Sequence, residues 1–230
     1  MALPQEKARA TRDILIGIDA GTSVIKAVAF DAGGEQIAVA STPNRVLTAP
    51  DGAAEQDMAQ TWADTAATLR QLGQAVPDLA ARTLALAVAA QGDGTWLVDA
   101  QGQPVGPAML WLDARSAPQV GALRASSGYG ELVARTGTAL NPSMQSGQLR
   151  WLRQNQPERL ARAAKALHCK DWLYWCLTGQ YATDPCESVF TFGNWRTRGY
   201  DDEVLWLLDL QDSAHLMPPL AQAGDAPAPL

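Results

Sequence analysis

The stretch Ile16-Gly17-Ile18-Asp19-Ala20-Gly21-Thr22-Ser23-Val24-Ile25-Lys26 constrains this chain more than any other. Ile14–Ile18 is an apolar run rich in β-branched residues that ends at a carboxylate, Asp19, and Ala20 to Ser23 reads as a tight turn. Val24–Phe30 is a second apolar run interrupted by Lys26, Asp31-Ala32-Gly33-Gly34 is another turn, and Gln36–Ser41 is a third strand. Three strands joined by two short turns predict an antiparallel meander. A glycine at the first turn lets backbone approach a phosphate, and the turn's N–H groups with the Thr22 and Ser23 hydroxyls can hold phosphate oxygens. Asp19 at the strand end suits a hydrated magnesium ion, which keeps most of its waters and takes few protein ligands. Lys26 would add positive charge beside it. The residues alone leave a plainer reading open, a hairpin whose turn favours Asp, Gly, Thr and Ser for conformational reasons.

After the meander, Met58, Trp62, Ala66 and Leu69 recur at helical spacing, which predicts a helix over Glu55–Leu72, broken by Pro77-Asp78. Thr83–Ala90 is a continuous apolar run, expected as a strand buried on both faces. Three strands, a helix and a strand form the opening of the actin-like ATPase (ribonuclease H-like) fold and not a Rossmann pattern. The expected class is therefore α/β, a mixed sheet led by the antiparallel meander and flanked by helices. Further on, Trp96–Val98 reads as a strand between two turns, and Pro107–Leu112 as an apolar segment. Helices are expected over Ala117–Ala125, Gly130–Arg135 and Ser146–Gln154, and from Gln156 to Leu167. Two more are expected over Asp171–Leu177, stopped by Gly179 at a C-cap position, and over Asp202–Leu208.

A net charge of −6, with Lys and Arg scattered, gives no basic stripe for a nucleic acid. The longest apolar run, Leu84–Ala90, is strand-sized, so no membrane span is expected, and the polar start MALPQEKARATRD has no apolar signal region. The three cysteines Cys169, Cys176 and Cys186 form no CxxC pair and read as reduced, buried thiols of a cytoplasmic protein.

The D-A-G-T-S-x-x-K segment resembles the opening D-x-G-T-[ST]-x-x-K/R of the FGGY carbohydrate kinases, which include glycerol, xylulose, ribulose and erythritol kinases. Further segments follow in the family's order. Glu55-Gln56-Asp57 with Trp62 is similar to V-E-Q-D-P…W, although Ala54 and Met58 depart from it. Leu110 to Arg115 is similar to W-x-D-x-R. Leu149 to Glu158 resembles K-L-x-W-L…N-x-P-E, and Lys170 to Asp184 resembles K-D-y-L…L-T-G…A-T-D. The resemblance covers roughly residues 14–215. It implies two actin-like domains around a cleft, the first binding a sugar or polyol and the second binding ATP and carrying the aspartate that deprotonates the attacking hydroxyl. The G-x-x-D segment of that aspartate, the Gly-rich adenosine region and the FGGY signature have no counterpart here. The expected organisation is a tail over 1–13, the sugar-side domain over 14–220, and a linker over 221–230 toward an absent ATP-binding domain, with no catalytic base in this chain and little activity by itself.

The same resemblance implies the site residues. Asp19 would hold Mg2+, and Gly21, Thr22, Ser23 and Lys26 would meet the phosphates of ATP. The loop after the apolar strand contacts substrate hydroxyls in the family, which implicates Gln91, Gly92 and Asp93. Xylulose kinases carry Gln-Met-His-Gly there and glycerol kinases Gln-Arg-Glu-Thr, so Asp93 takes the place of His or Glu. A carboxylate accepts two hydroxyl hydrogen bonds, which suits a polyol, while an Asp-Gly pair also makes an ordinary hairpin turn. Trp111 matches a tryptophan that packs on the substrate's carbon skeleton; a core role is the alternative. Asp113 and Arg115 read as a structural ion pair, with lining the cleft as the alternative. Ser143 is smaller than the aromatic some members carry there, and Asp184 and Glu187 lie near the site in related kinases without being counted among the site residues. The Q-G-D-G-T-W and L-W-L-D-A-R segments look closest to erythritol kinases, with pentulose kinases open. A stand-alone polyol-binding module without catalysis is the rival reading. Self-association, in the simplest case a homodimer, is expected of a domain that exposes the cleft face meant for its neighbour.

Overall fold

The computed structural model describes residues 12–222, 225, 228 and 229. Most of the expected 1–13 tail and half of the expected 221–230 linker therefore lie outside the described residues. In chain order the described elements begin with β1 (Ile14–Ala20), β2 (Val24–Asp31), β3 (Gln36–Pro43), β4 (Leu47–Thr48) and β5 (Ala54–Gln56). Then come α1 (Met58–Ala75), α2 (Leu79–Arg82), β6 (Thr83–Ala90), β7 (Trp96–Val98), β8 (Ala108–Met109), α3 (Ala117–Arg124) and α4 (Tyr129–Thr136). After these follow α5 (Gln145–Asn155), α6 (Pro157–Ala161), β9 (Lys165–Leu167), α7 (Cys169–Thr178), α8 (Pro185–Phe192), β10 (Gly193–Asn194), β11 (Gly199–Tyr200), α9 (Asp202–Leu207) and a 3-10 turn at Gln211–Leu216. The chain divides into two units. One takes the chain through Asn44 together with Ala63–Ala89, and the other takes Arg45–Trp62 and everything from Ala90 onward.

Period-two alternation builds the first unit. Ile14, Ile16, Ile18 and Ala20 of β1 are buried, as are Ile25, Ala27 and Ala29 of β2, while the intervening residues lie on the opposite face. The expected meander is present: β1 pairs antiparallel with β2, and β2 with β3. β6 completes the sheet, in the order β3-β2-β1-β6. The buried face packs against Leu72 and Val76 of α1 and Leu79 of α2. β6 is not buried on both faces, as its unbroken apolar run suggested. It stands at the edge of this sheet, Ala85, Ala87 and Ala89 are exposed, and Leu84 is 57 % exposed. The sequence pattern is that of a two-sided strand, but within this unit only one side finds a partner layer.

The second unit has a larger core, drawn from Leu97 of β7, Met109 of β8, Leu149 and Leu152 of α5, and Phe192 of α8, among others. Two expected helices are redrawn by pairing. Ala54–Gln56 forms β5, between β4 and β8, so α1 begins only after Asp57, whose carboxylate accepts the Gln60 N–H at 3.0 Å as an N-cap does. The helix opened by Pro157 ends at Ala161 instead of running to Leu167, because Lys165–Leu167 pairs antiparallel with β7 as β9. Gly179 closes α7 in the left-handed conformation with φ 69°, as its position suggested.

Candidate functional site

The residues singled out from the sequence fall into two groups that belong to different units. In the first unit, the alternation that buries the isoleucines of β1 puts Asp19 on the exposed face. The β1–β2 register sets Lys26 directly opposite Asp19, which brings Cβ atoms of such a pair to about 4.5–5.5 Å. Neither charge is consumed: among the described residues no hydrogen bond or ion pair takes up the Asp19 carboxylate or the Lys26 ammonium. The turn between them is tight. The Gly21 N–H donates to Val24 O at 3.0 Å, and a Cβ at Gly21 would stand 3.1 Å from that same oxygen. Asn44, at the end of β3, fixes the turn from the side: its backbone N–H donates to Ser23 O at 2.8 Å and its side-chain amide to Gly21 O at 2.9 Å. Asp19, Gly21, Thr22, Ser23 and Lys26 thus share one braced hairpin. A free carboxylate at a strand end is a fitting ligand for a hydrated Mg2+, and the facing ammonium fits a phosphate oxygen.

In the second unit, the Gln91-Gly92-Asp93-Gly94 turn is held in an unusual backbone conformation. Asp93 (φ 54°) and Gly94 (φ 81°) are both left-handed. A Cβ at Gly94 would come within 2.6 Å of Met109 O, so the tight approach and the positive φ together demand glycine. Every anchor of this turn is polar. The Gly94 N–H donates to Ser143 O at 3.0 Å, the Asp93 N–H to Glu187 Oε2 at 3.1 Å, and Gln91 Nε2 to Gln56 Oε1 at 2.7 Å. The Ser143 hydroxyl, lying between Asp93 Oδ2 and Asn141 Oδ1, bonds the Asp93 carboxylate on one side only. Asp93 Oδ1 is shut away from solvent and has no hydrogen-bond partner among the described residues. Asp93 is thus a turn residue and also a carboxylate with an acceptor to spare.

Trp111 is not a core tryptophan. It is 46 % exposed, and it follows Leu110, whose backbone lies 3.4 Å from the Cβ position of Gly94. Asp113 and Arg115 are the structural pair expected. Asp113 is 1 % exposed and accepts the Ala54 N–H, while Arg115 bridges Asp113 and Glu55, each at 2.6 Å, and stacks 4.5 Å from the centroid of Trp151. Burial alone would push the Arg115 guanidinium down, and the two carboxylates outweigh it and hold it up.

Two residues close to these groups escaped the sequence reading, Asn44 and His168, the N-cap of α7, while Glu187, in the first turn of α8, was named there without being counted as a site residue. Glu187 accepts the Asp93 N–H, and His168 Nε2 stands 3.6 Å from its carboxylate. His168 is 2 % exposed; its Nδ1 stands 3.2 Å from Asp171 Oδ2, which also accepts the His168 N–H at 3.0 Å. Lys170 reaches Asp171 at 2.9 Å and Asp184 at 3.3 Å. Burial would raise the Asp171 carboxyl, but His168 and Lys170 hold it below its usual range. Burial pushes the neighbouring Cys169 thiol far up, so it is an inert thiol. A capping-box pattern, His168 with Asp171 three residues on, was the available sequence signal for part of this network.

Residues 14–228 match the model of the N-terminal domain of the FGGY family of carbohydrate kinases. The chain belongs to this family. An erythritol kinase of Brucella abortus (strain 2308) is 51% identical over 218 residues, covering 95% of this chain and 42% of that relative. A xylulose kinase of Streptomyces rubiginosus is 34% identical over 218 residues, covering 92% of this chain and 43% of the relative. Among solved structures, a xyloylose kinase from Brucella ovis superposes with a TM-score of 0.86 at 28% identity, over 94% of this chain and 44% of that one. A xylulose kinase from Rhodospirillum rubrum shares the fold at a TM-score of 0.84 and 24% identity, over 90% of this chain and 43% of that one. The fold is therefore the actin-like one expected from the meander, and the chain spans less than half the length of these FGGY relatives. No helix among the described residues is long and apolar enough to cross a membrane.

Proposed function

We propose that residues 14–220 form the sugar-side domain of an ATP-dependent kinase that phosphorylates a hydroxyl of a small polyol, erythritol before a pentulose. The observation that carries the substrate half of this reading is the braced Asp93 turn, in which a carboxylate oxygen shut away from solvent has no partner among the described residues. A buried acceptor left unpaired is costly, and a polyol hydroxyl is a donor of the right kind to satisfy it. Trp111, half-exposed beside this turn, offers an indole face for the C–H side of the carbon skeleton. Gln91 and Gly92 complete the substrate contacts, Gly92 by leaving space that a larger side chain would fill. The 51% identity to an erythritol kinase favours the tetritol over the ketopentoses that the more distant relatives are named for.

The phosphate half of the reading rests on Asp19 and Lys26, both uncommitted on adjacent strands. ATP with Mg2+ would supply the transferable phosphoryl group and the charge that spreads over its oxygens in the transition state. Asp19 would fix the hydrated cation. Gly21, Thr22 and Ser23 would receive the terminal phosphate, and Lys26 would offset its charge. Asp93, Gln91 and Trp111 would hold the polyol so that one primary hydroxyl is presented in line. No residue of this chain is assigned as the base that takes the hydroxyl proton; the second domain implied by the resemblance carries it.

The test is a phosphoryl-transfer assay of the full-length protein with ATP against erythritol, D-xylulose, L-ribulose and glycerol. Phosphorylation of erythritol with the highest kcat/KM is the expected result. Preference for a pentulose would move the substrate assignment, and binding of a polyol without any transfer would establish the rival reading of a non-catalytic module.

A further inference from the structure

The Asp93 turn and α8 place two carboxylates around a single backbone amide. Glu187 Oε2 accepts the Asp93 N–H at 3.1 Å, and Glu187 Oε1 lies 3.0 Å from the Cβ position of Gly92. The carboxylate of Asp93, on the same residue as that amide, carries a buried oxygen with no partner among the described residues. On the far side of Glu187 stands His168. Its Nδ1 faces an acceptor, Asp171 Oδ2, so Nδ1 bears the proton. Its Nε2 is buried without a hydrogen-bond partner among the described residues and is 3.6 Å from Glu187 Oε2, which is beyond hydrogen-bond length. A histidine 2 % exposed, with one nitrogen pinned and the other unsatisfied, is directed at the carboxylate next to the proposed substrate turn. Asp93 Oδ1 and His168 Nε2, two of the buried side-chain atoms without a hydrogen-bond partner among the described residues, lie on either side of Glu187, and a ligand that brings several hydroxyls would satisfy both.

We propose that Glu187 is a specificity-determining residue for the polyol, acting beside His168, whose ring Asp171 orients. This inference rests on the reading of the Asp93 turn as the substrate site. Asp93 and Glu187 form a rim of acceptors. Two neighbouring hydroxyls of a neutral polyol donate into it, one to each carboxylate, and a further hydroxyl donates to the unprotonated His168 Nε2. The same pair of negative charges opposes a substrate that carries its own carboxylate, such as an aldonate of the same chain length. Discrimination thus has an attractive part, the diol, and a repulsive part, the like charge. Gly92 belongs to the device because a methyl group there would press on Glu187 Oε1.

The experiment uses full-length protein and ATP, with erythritol, its 1-deoxy analogue and erythronate as alternative substrates, and compares the wild type with Glu187→Gln, Glu187→Asp, His168→Asn and the Glu187→Gln/His168→Asn double variant. Gln is isosteric and still accepts the Asp93 N–H, so a thermal melt close to wild type is expected. Glu187→Gln should raise the KM for erythritol about 10-fold or more, the loss expected of a charge-assisted hydrogen bond, with a much smaller change in kcat. It should also narrow the preference for erythritol over erythronate by at least about 10-fold. Glu187→Asp keeps the charge and withdraws the contact, so it should raise the KM while retaining rejection of erythronate. His168→Asn should raise the KM in the wild-type background and add little to Glu187→Gln, a non-additivity that a purely structural histidine would not produce. Wild-type KM and selectivity in Glu187→Gln would overturn the inference and leave the kinase reading intact. Equal behaviour of the Gln and Asp variants toward erythronate would overturn its charge argument. A wild type that phosphorylates none of the polyols would instead remove the reading on which the inference stands.

Discussion

Arg115 shows how a residue of an apparent active-site motif can be wholly structural. Its W-x-D-x-R context places it near the proposed substrate tryptophan, yet its guanidinium is spent on Asp113, Glu55 and the face of Trp151. Arg115→Ala leaves Asp113, 1 % exposed, as an uncompensated buried charge, and should cost about 3–5 kcal/mol of stability in urea unfolding. A loss below about 1 kcal/mol would show that solvent reaches the pair. Asp171 makes a pH-dependent contribution. Its carboxyl is held below the usual value of 3.8 in the folded chain despite burial. The unfolded chain therefore binds the proton first, so this stability is fully present above that value and is lost as pH falls through the lower folded-state pKa. The gap in unfolding free energy between wild type and Asp171→Asn should be largest near neutrality and shrink in acid; a gap that widens in acid would reverse the sign. At this scale the sequence disclosed residues whose type and motif position agree, Asp19 and Asp93 among them. His168 was hidden, and Glu187 was named without being counted among the site residues, because their contacts come from α7 and α8 converging on a turn some 75 to 95 residues earlier in the chain, which no local pattern records.

Among the elements, the meander was legible because its strands alternate and its turns are short, so local chemistry and tertiary pairing agree. The Asp93–Gly94 turn follows the same logic, with an additional demand on backbone. Gly94→Ala adds a methyl group 2.6 Å from Met109 O at φ 81° and should destabilise the chain by about 1–3 kcal/mol. Gly73→Ala, in the middle of α1 with open space around its Cβ position, should be neutral or stabilising by a few tenths to about 1 kcal/mol; a thermal melt of the two variants separates these cases. Elements were misread where pairing overrode local preference. Lys165–Leu167 continues a helical pattern yet is claimed by β7, and Ala54–Gln56 is claimed by β8 before α1 can begin. β6 failed differently. Its apolar run predicts two covered faces, and within the first unit only one is covered.

For the whole molecule, the proposed roles divide along the two units, the phosphate hairpin in one and the polyol turn in the other. This division makes a kinetic prediction. Asp19 is exposed and uncommitted, so Asp19→Asn should leave the fold and the polyol affinity unchanged while lowering kcat by at least about 100-fold through lost placement of the metal. Weakened polyol binding in that variant, with turnover per bound substrate preserved, would contradict the assignment. The complementary claim, that the braced turn after β6 is where a polyol is held, is central, and calorimetric titration of erythritol into the full-length protein and its Asp93→Asn variant tests it most directly. Asn tolerates the left-handed backbone at this position, so the variant should melt like the wild type. Erythritol should bind the wild type, and should bind Asp93→Asn at least about 10-fold more weakly; equal affinity in two equally folded proteins would contradict the assignment.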